Sequence, residues 1–155
     1  MIANPVPTLV HAFDLVVELA APVEMGQSPA GTRRIIPIVG GHAQGPLLQG
    51  RVLPIGADWQ TVLTGGLADL DARYAIETPD GAVIEVVSQG LRHAPPEVGA
   101  RIAAGEVVPP TAYYMRTLIR LESGAAAYDW VNRALFLAAG GKVGATVSLS
   151  VYRVD

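Results

Sequence analysis

Cysteine is absent from the 155 residues, which removes disulfides, thiolate metal sites and a cysteine nucleophile from consideration. Charge is scarce too: charged residues make up 16% of the chain and the net charge is −3. A basic stripe of the kind that engages polyanions is missing, and Arg33-Arg34 is the only adjacent basic pair, so no nucleic-acid partner is expected. No apolar run reaches about 18 residues, because glycine, proline or a charge interrupts every candidate, and no membrane helix is expected. Met1 to Val10 lacks a basic n-region and includes Pro5 and Pro7, unlike a secretory signal. A cytoplasmic protein with no membrane partner, forming a single domain over residues 1–155, is the expectation.

What is present is apolar residue and punctuation. Half of the residues are hydrophobic, and 17 glycines and 12 prolines divide them, which excludes disorder and favours short elements around a buried core. Alternation with period two dominates. Between His11 and Leu19, Phe13, Leu15, Val17 and Leu19 fall on one face, with Asp14 and Glu18 on the other, the pattern of a half-buried strand. Arg33 to Val39 and Leu47 to Leu53 are shorter strand candidates, separated by turns at Gly40-Gly41 and Gly45-Pro46.

Asp71 to His93 reads as a hairpin. Asp80-Gly81 stands between two alternating runs and is a two-residue type I′ loop signal. That register places Thr78 opposite Val83 and Ala75 opposite Val86. One face then mixes Arg73, Ala75 and Glu77 with Ile84, Val86 and Ser88, and the other mixes Tyr74, Ile76 and Thr78 with Val83, Glu85 and Val87. Such mixing fits a sheet over a partly polar cavity. One short helix is expected between Pro95 and Pro110, a strand over Tyr113 to Glu122, and a terminal hairpin from Ala134 to Val154 across Gly140 to Gly144. Roughly eight to ten short strands with one helix predict an all-β, lipocalin-like antiparallel barrel.

Several chemistries are excluded by pattern. Gly40 to Gly45 has phosphate-loop spacing, but Pro46-Leu47 stand where lysine and a hydroxyl are required. There is no Gly-x-Ser-x-Gly elbow. His11, His42 and His93 lack the spacing of a helical zinc pair, so neither a metal nor another cofactor is expected.

The polar candidates are few. Asp58-Trp59-Gln60 closes the glycine- and proline-rich stretch Gly40 to Gln60. An acid beside an indole gains a raised pKa, which suits Asp58 as a general acid or base; the alternative is that Asp58 caps a turn while Trp59 fills the barrel end and Gln60 satisfies backbone groups. Arg73, Arg92 and Arg116 lie on expected strands, facing either solvent or a ligand's carboxylate, phenolate or enolate. Tyr74 and Tyr114 belong to the core or rim, or share proton transfer. Glu85 interrupts Val83 to Val87 and faces solvent or the cavity. Tyr128 to Asn132 forms a tight turn plugging the barrel, with Asn132 tying loops together.

Gly31-Thr32-Arg33-Arg34, the Gly40 to Gln60 stretch, Asp71-Ala72-Arg73-Tyr74, Gly90-Leu91-Arg92, Tyr114-Met115-Arg116-Thr117, Glu122-Ser123-Gly124 and Tyr128-Asp129-Trp130-Val131-Asn132 follow one another in an order that resembles the DUF3237 (UPF0311) family. The resemblance spans most of the chain and implies an antiparallel barrel with a central pocket, but no particular chemistry. Ile55 replaces a frequent glycine and Met115 a usual aromatic, while His42 is outside the family's pattern and is either a specialised acid or base or a surface side chain.

Together these readings point to a cofactor-independent enzyme of proton transfer, an isomerase, cyclase, dehydratase or lyase acting on a small apolar or aromatic molecule. Asp58, Arg73, Tyr114 and Arg116 are its catalytic candidates. His42, Trp59, Gln60, Tyr74, Glu85, Arg92 and Asn132 are the candidates for holding substrate. The alternatives are a non-catalytic carrier barrel and a structural oligomer joined through apolar strands; besides the small molecule, the one partner considered is a second copy of the chain in a homodimer.

Overall fold

The alternating runs become nine antiparallel strands in a computed structural model that describes residues 1–155: β1 (Leu9–Leu19), β2 (Val23–Ser28), β3 (Gly31–Gln44), β4 (Gly50–Val62), β5 (Ala68–Glu77), β6 (Val83–His93), β7 (Tyr114–Glu122), β8 (Leu135–Val143) and β9 (Thr146–Val154). Hydrogen bonding runs β1-β9-β8-β7-β6-β5-β4-β3, and β3 pairs back onto β1, closing an eight-stranded barrel. Strand β2, not expected from the sequence, adds to the Gly31 end of β3 outside that closure. Closure removes most of the exposed edge that so apolar a chain would otherwise present. One helix, α1 (Pro96–Ala103), interrupts the meander as expected. No helix is long and apolar enough to cross a membrane.

Parity along each strand decides what faces inward. In β1, Phe13, Leu15 and Val17 are buried while Asp14 and Glu18 are exposed. In β7, Met115, Thr117, Ile119 and Leu121 are buried and every intervening residue is exposed. Phe13, Leu15, Ile76, Ile84, Val86, Ile119, Phe136 and Val151 are almost fully withdrawn from water, and each such side chain stabilises the fold by about 1.5–3 kcal/mol. They fill one half of the barrel.

That half is closed by a 3-10 segment, Ala126–Arg133. Val131 there is fully buried, and Trp130 meets Phe136 edge-on at 6.2 Å. Asn132 holds the segment down: its Oδ1 accepts the Ser123 N–H and its Nδ2 donates to the Ser123 carbonyl, both at 2.9 Å. Tyr128 donates to Asp80 at 3.0 Å, tying the same segment to the β5–β6 turn.

Three local expectations are corrected. Gly40-Gly41 is no turn, because β3 runs through it. Gly41, at φ +128°, lies where β3 crosses β1, and a Cβ there would stand 2.0 Å from the Val16 carbonyl oxygen. The glycine allows the strands to touch while β3 bends. The strand expected over Leu47 to Leu53 instead runs Gly50–Val62, so Asp58-Trp59-Gln60 lies within β4 and Asp58 caps no turn. The β5–β6 register differs by one residue. Glu77 faces Val83, Ala75 faces Glu85 and Arg73 faces Val87, and the Thr78 N–H donates to the Ala82 carbonyl across a longer loop. A one-residue slip exchanges the faces of one strand relative to its neighbour. Tyr74, Ile76, Ile84, Val86 and Ser88 therefore share the interior, and Arg73, Glu77, Val83 and Glu85 share the outside. The mixed faces read from the sequence do not exist.

Candidate functional site

Toward the end opposite the 3-10 plug, inward positions change from apolar to polar. Along β3 the interior sequence is Ile38, Ile36, Arg34; along β6 it is Val86, Ser88, Gly90, Arg92; along β8 it is Phe136, Ala138, Gly140, Lys142. On β4 the inward residues are Asp58 and Gln60, on either side of outward Trp59. Register brings them together: Arg34 lies opposite Gln60 and Ile36 opposite Asp58.

These side chains line a cavity of about 230 Å³. Its polar wall is Arg34, Asp58, Gln60, Arg92 and Lys142, and its apolar wall includes Leu19, Ile36, Leu70, Met115 and Val147. Arg34, Arg92 and Lys142 also border an outer vestibule of about 660 Å³, formed with Gly65, Gly66, His93 and the α1 residues Pro96, Gly99 and Ile102. The three cations therefore stand at the neck between the two spaces.

One hydrogen-bonded relay fixes the acid. Arg34 Nε donates to Gln60 Oε1 at 2.7 Å, Gln60 Nε2 donates to Asp58 Oδ2 at 3.3 Å, and the Asp71 backbone N–H donates to Asp58 Oδ1 at 2.9 Å. Gln60 is only 1% exposed, so its amide depends on these partners rather than on water.

Electrostatics at the neck is dominated by burial. Burial raises the Asp58 pKa above the ordinary carboxylate value, overcoming the Asp71 and Gln60 hydrogen bonds and the Arg92 charge, which act in the opposite direction. Tyr74, buried in the core, has its phenol pKa raised by burial and then by the Asp58 charge. Burial lowers the Arg92 pKa, with Arg34 adding repulsion. Lys142, the only lysine in the chain, is lowered by burial and then by Arg92 and Arg34. None of the molecule's ion pairs involves Arg34, Arg92 or Lys142.

The other candidates expected from the sequence are dispersed. Arg73 points outward, 3.9 Å from Glu85, with its side chain 70% exposed. It shares a surface groove with Ile55, Trp59 and Glu85. Tyr114 stacks on His93 at 4.9 Å on the outside, and the Arg116 guanidinium lies 5.2 Å from the Tyr114 ring. His42 borders an exposed groove with Arg51 and Glu77 near the closed end. Asn132 bonds backbone at the plug. Convergence of Asp58 with Arg73 and Arg116 is thus not what the barrel provides, because Arg73 alternates with inward Tyr74 and Arg116 with inward Met115. Among the named candidates, Asp58, Gln60 and Arg92 meet in the cavity.

Arg34 and Lys142 were missed. For Arg34 the signal was present in its alternation with Ile36 and Ile38. Lys142 was hidden in a glycine-rich segment read as a loop; β8 continues through Gly140-Gly141, and the inward parity of Phe136 and Ala138 carries on to the lysine.

Comparison with known proteins agrees with this architecture. The profile described as "Protein of unknown function (DUF3237)" matches residues 7–154. A UPF0311 protein of Bradyrhizobium diazoefficiens is 39% identical over 144 residues, covering 93% of this chain and 94% of that one. A crystal structure of a conserved protein of unknown function from Rhodopseudomonas palustris superposes with a TM-score of 0.93 at 36% identity, covering 98% of this chain and all of that one. A crystal structure of an enzyme from Penicillium herquei, at 19% identity and TM-score 0.74 over the full length of both chains, shares the fold alone.

Proposed function

The chain belongs to the DUF3237 family of proteins of unknown function, and from the open end of its barrel we propose that it catalyses proton transfer on a small, largely apolar organic molecule without a cofactor. The observation that carries this reading is Asp58, fixed in a cavity wall by Asp71 and Gln60, with its charged form disfavoured and three cations beside it. A general acid or base works best with a pKa displaced toward the operating pH, which is the direction of the Asp58 shift.

In the proposed cycle the apolar body of the substrate lies against Leu19, Ile36, Leu70, Met115 and Val147. Ionised Asp58 removes a proton from a carbon next to a carbonyl. The C–H electron pair moves into the new C–C double bond, and the carbonyl electrons move to oxygen, giving an enolate. Arg92 and Lys142 stabilise that oxyanion through charge-assisted hydrogen bonds. Asp58 then returns the proton, to oxygen or to another carbon, so the overall change is an isomerisation and no other reactant is consumed. Gln60 holds the carboxylate in position, and Arg34 holds Gln60.

Phenylpyruvate has the required apolar ring and an enolisable ketone, and its keto–enol interconversion is a suitable probe. Wild type is expected to accelerate it, and Asp58→Asn to reduce the acceleration by about 10²–10⁴-fold, with Arg73→Gln and Arg116→Gln close to wild type. Undiminished acceleration in folded D58N removes Asp58 from the mechanism. A carrier barrel is the second reading, favoured by the fact that both Asp58 oxygens already accept bonds from the protein. It expects phenylpyruvate to bind to wild type and D58N alike, with no acceleration in either.

A further inference from the structure

We infer that the neck of the barrel is a carboxylate-binding site, formed by Arg34, Arg92 and Lys142, that takes small aromatic or branched aliphatic carboxylic acids with the apolar body in the inner cavity. The inference rests on the proton-transfer reading for its location and adds the substrate class; binding, however, is measured apart from turnover.

Positive charge is concentrated here against the trend of the chain. Acidic residues outnumber basic ones, 14 to 11, yet three basic side chains border the same two spaces with Asp58 as the one carboxylate in either lining. Of the other basic residues, Arg51, Arg73, Arg101, Arg133 and Arg153 each pair with an acid, while Arg33, Arg116 and Arg120 are unpaired but line neither space. At the neck no such pairing occurs, and Asp58 is already engaged by Asp71 and Gln60. Like charges withdrawn from water repel one another, and an anion from outside relieves that cost.

Donor geometry fits the same ligand. Arg34 commits Nε to Gln60, leaving its two terminal nitrogens free. The Arg92 guanidinium and Lys142 ammonium donate to no protein acceptor, so a planar fork and a point charge both remain for two carboxylate oxygens. Behind them, Leu19, Ile36, Leu70, Met115 and Val147 offer apolar surface within about 230 Å³, a space below the usual range for drug-sized ligands. A compact ring or branched chain fits such a volume, and a nucleotide does not.

Isothermal titration of the intact protein with phenylacetate and with phenylacetamide, its uncharged isostere, tests the inference. Phenylacetate is expected to bind at least about tenfold more tightly, to weaken with added salt, and to lose about tenfold or more in Lys142→Met and in Arg92→Met. Equal affinity for the amide, stronger binding of inorganic phosphate than of phenylacetate, or undiminished affinity in both variants overturns it. Should those variants fail to fold, wild type still decides, because Lys142 is the only lysine: phenylacetate is expected to protect its ε-amine from reductive methylation, and an unchanged methylation rate contradicts the site. In D58N, phenylacetate binding persists or strengthens, since a competing negative charge is gone; loss of binding there contradicts a site built from the three cations. Binding at the neck without enolisation of phenylpyruvate overturns the proton-transfer reading and leaves this inference standing.

Discussion

At the scale of single residues the decisive position is Asp58, whose chemistry follows from what surrounds it rather than from its neighbours in sequence. The adjacent indole suggested a raised pKa, but Trp59 points outward and is 45% exposed. Burial in the cavity wall raises it instead. The sign has a consequence for stability. Between the ordinary carboxylate value of an unfolded chain and the raised value in the fold, the native state holds more protons, so stability contributed by this residue falls as pH rises through that window. Asp58→Asn retains an oxygen for the Asp71 N–H and removes the charge. Its melting temperature, followed from about pH 3 to about pH 8, is therefore expected to gain on wild type as pH rises; a variant that loses ground toward higher pH contradicts the assignment. Asp58, Gln60 and Arg92 were legible in the sequence as polar residues on strands. Arg34 and Lys142 were not singled out, because which face of a strand points inward depends on the whole sheet.

At the scale of elements, alternation identified the strands and glycine misled about where they end. Gly40-Gly41 and Gly140-Gly141 look like turns in a one-dimensional reading. In the barrel they let neighbouring backbones approach, with Cβ positions at Gly41 and Gly140 only 2.0 and 1.9 Å from backbone oxygens of the adjacent strand. Gly41→Ala is expected to strain the β1–β3 closure and to cost about 3 kcal/mol or more, read from the midpoint of urea unfolding. An unchanged midpoint shows that the closure tolerates a side chain there. The Asp80-Gly81 hairpin teaches the same lesson, since the turn signal was sound but the loop is longer, and one residue of slip inverted the face assignment. With the observed register the interior of β5 and β6 is coherent: Tyr74, Ile76, Ile84 and Val86 pack together while Arg73 and Glu85 meet outside.

At the scale of the whole molecule the barrel divides into an end that holds the fold together and an end that is open. Apolar interior, Val131 and the two Asn132 hydrogen bonds occupy the first; the acid, the amide and the three cations occupy the second. Asn132→Ala is accordingly expected to destabilise the protein by about 1–3 kcal/mol through the unpaired Ser123 backbone groups, while phenylpyruvate enolisation by the folded variant stays near wild type. Loss of activity without loss of stability runs against this division. The barrel class was readable from short alternating runs, and the polarity of one end was not, because Arg34, Asp58, Arg92 and Lys142 come from four strands and become neighbours only on closure.

Asp58 is the proposed proton carrier, and the most direct test of that role is a pH titration of its side-chain carboxyl carbon by NMR in the ligand-free protein. The result expected is a pKa above the ordinary carboxylate value that matches the lower limb of the pH–rate profile for phenylpyruvate enolisation. A carboxyl that titrates at or below the ordinary value, with no corresponding step in the rate, contradicts it.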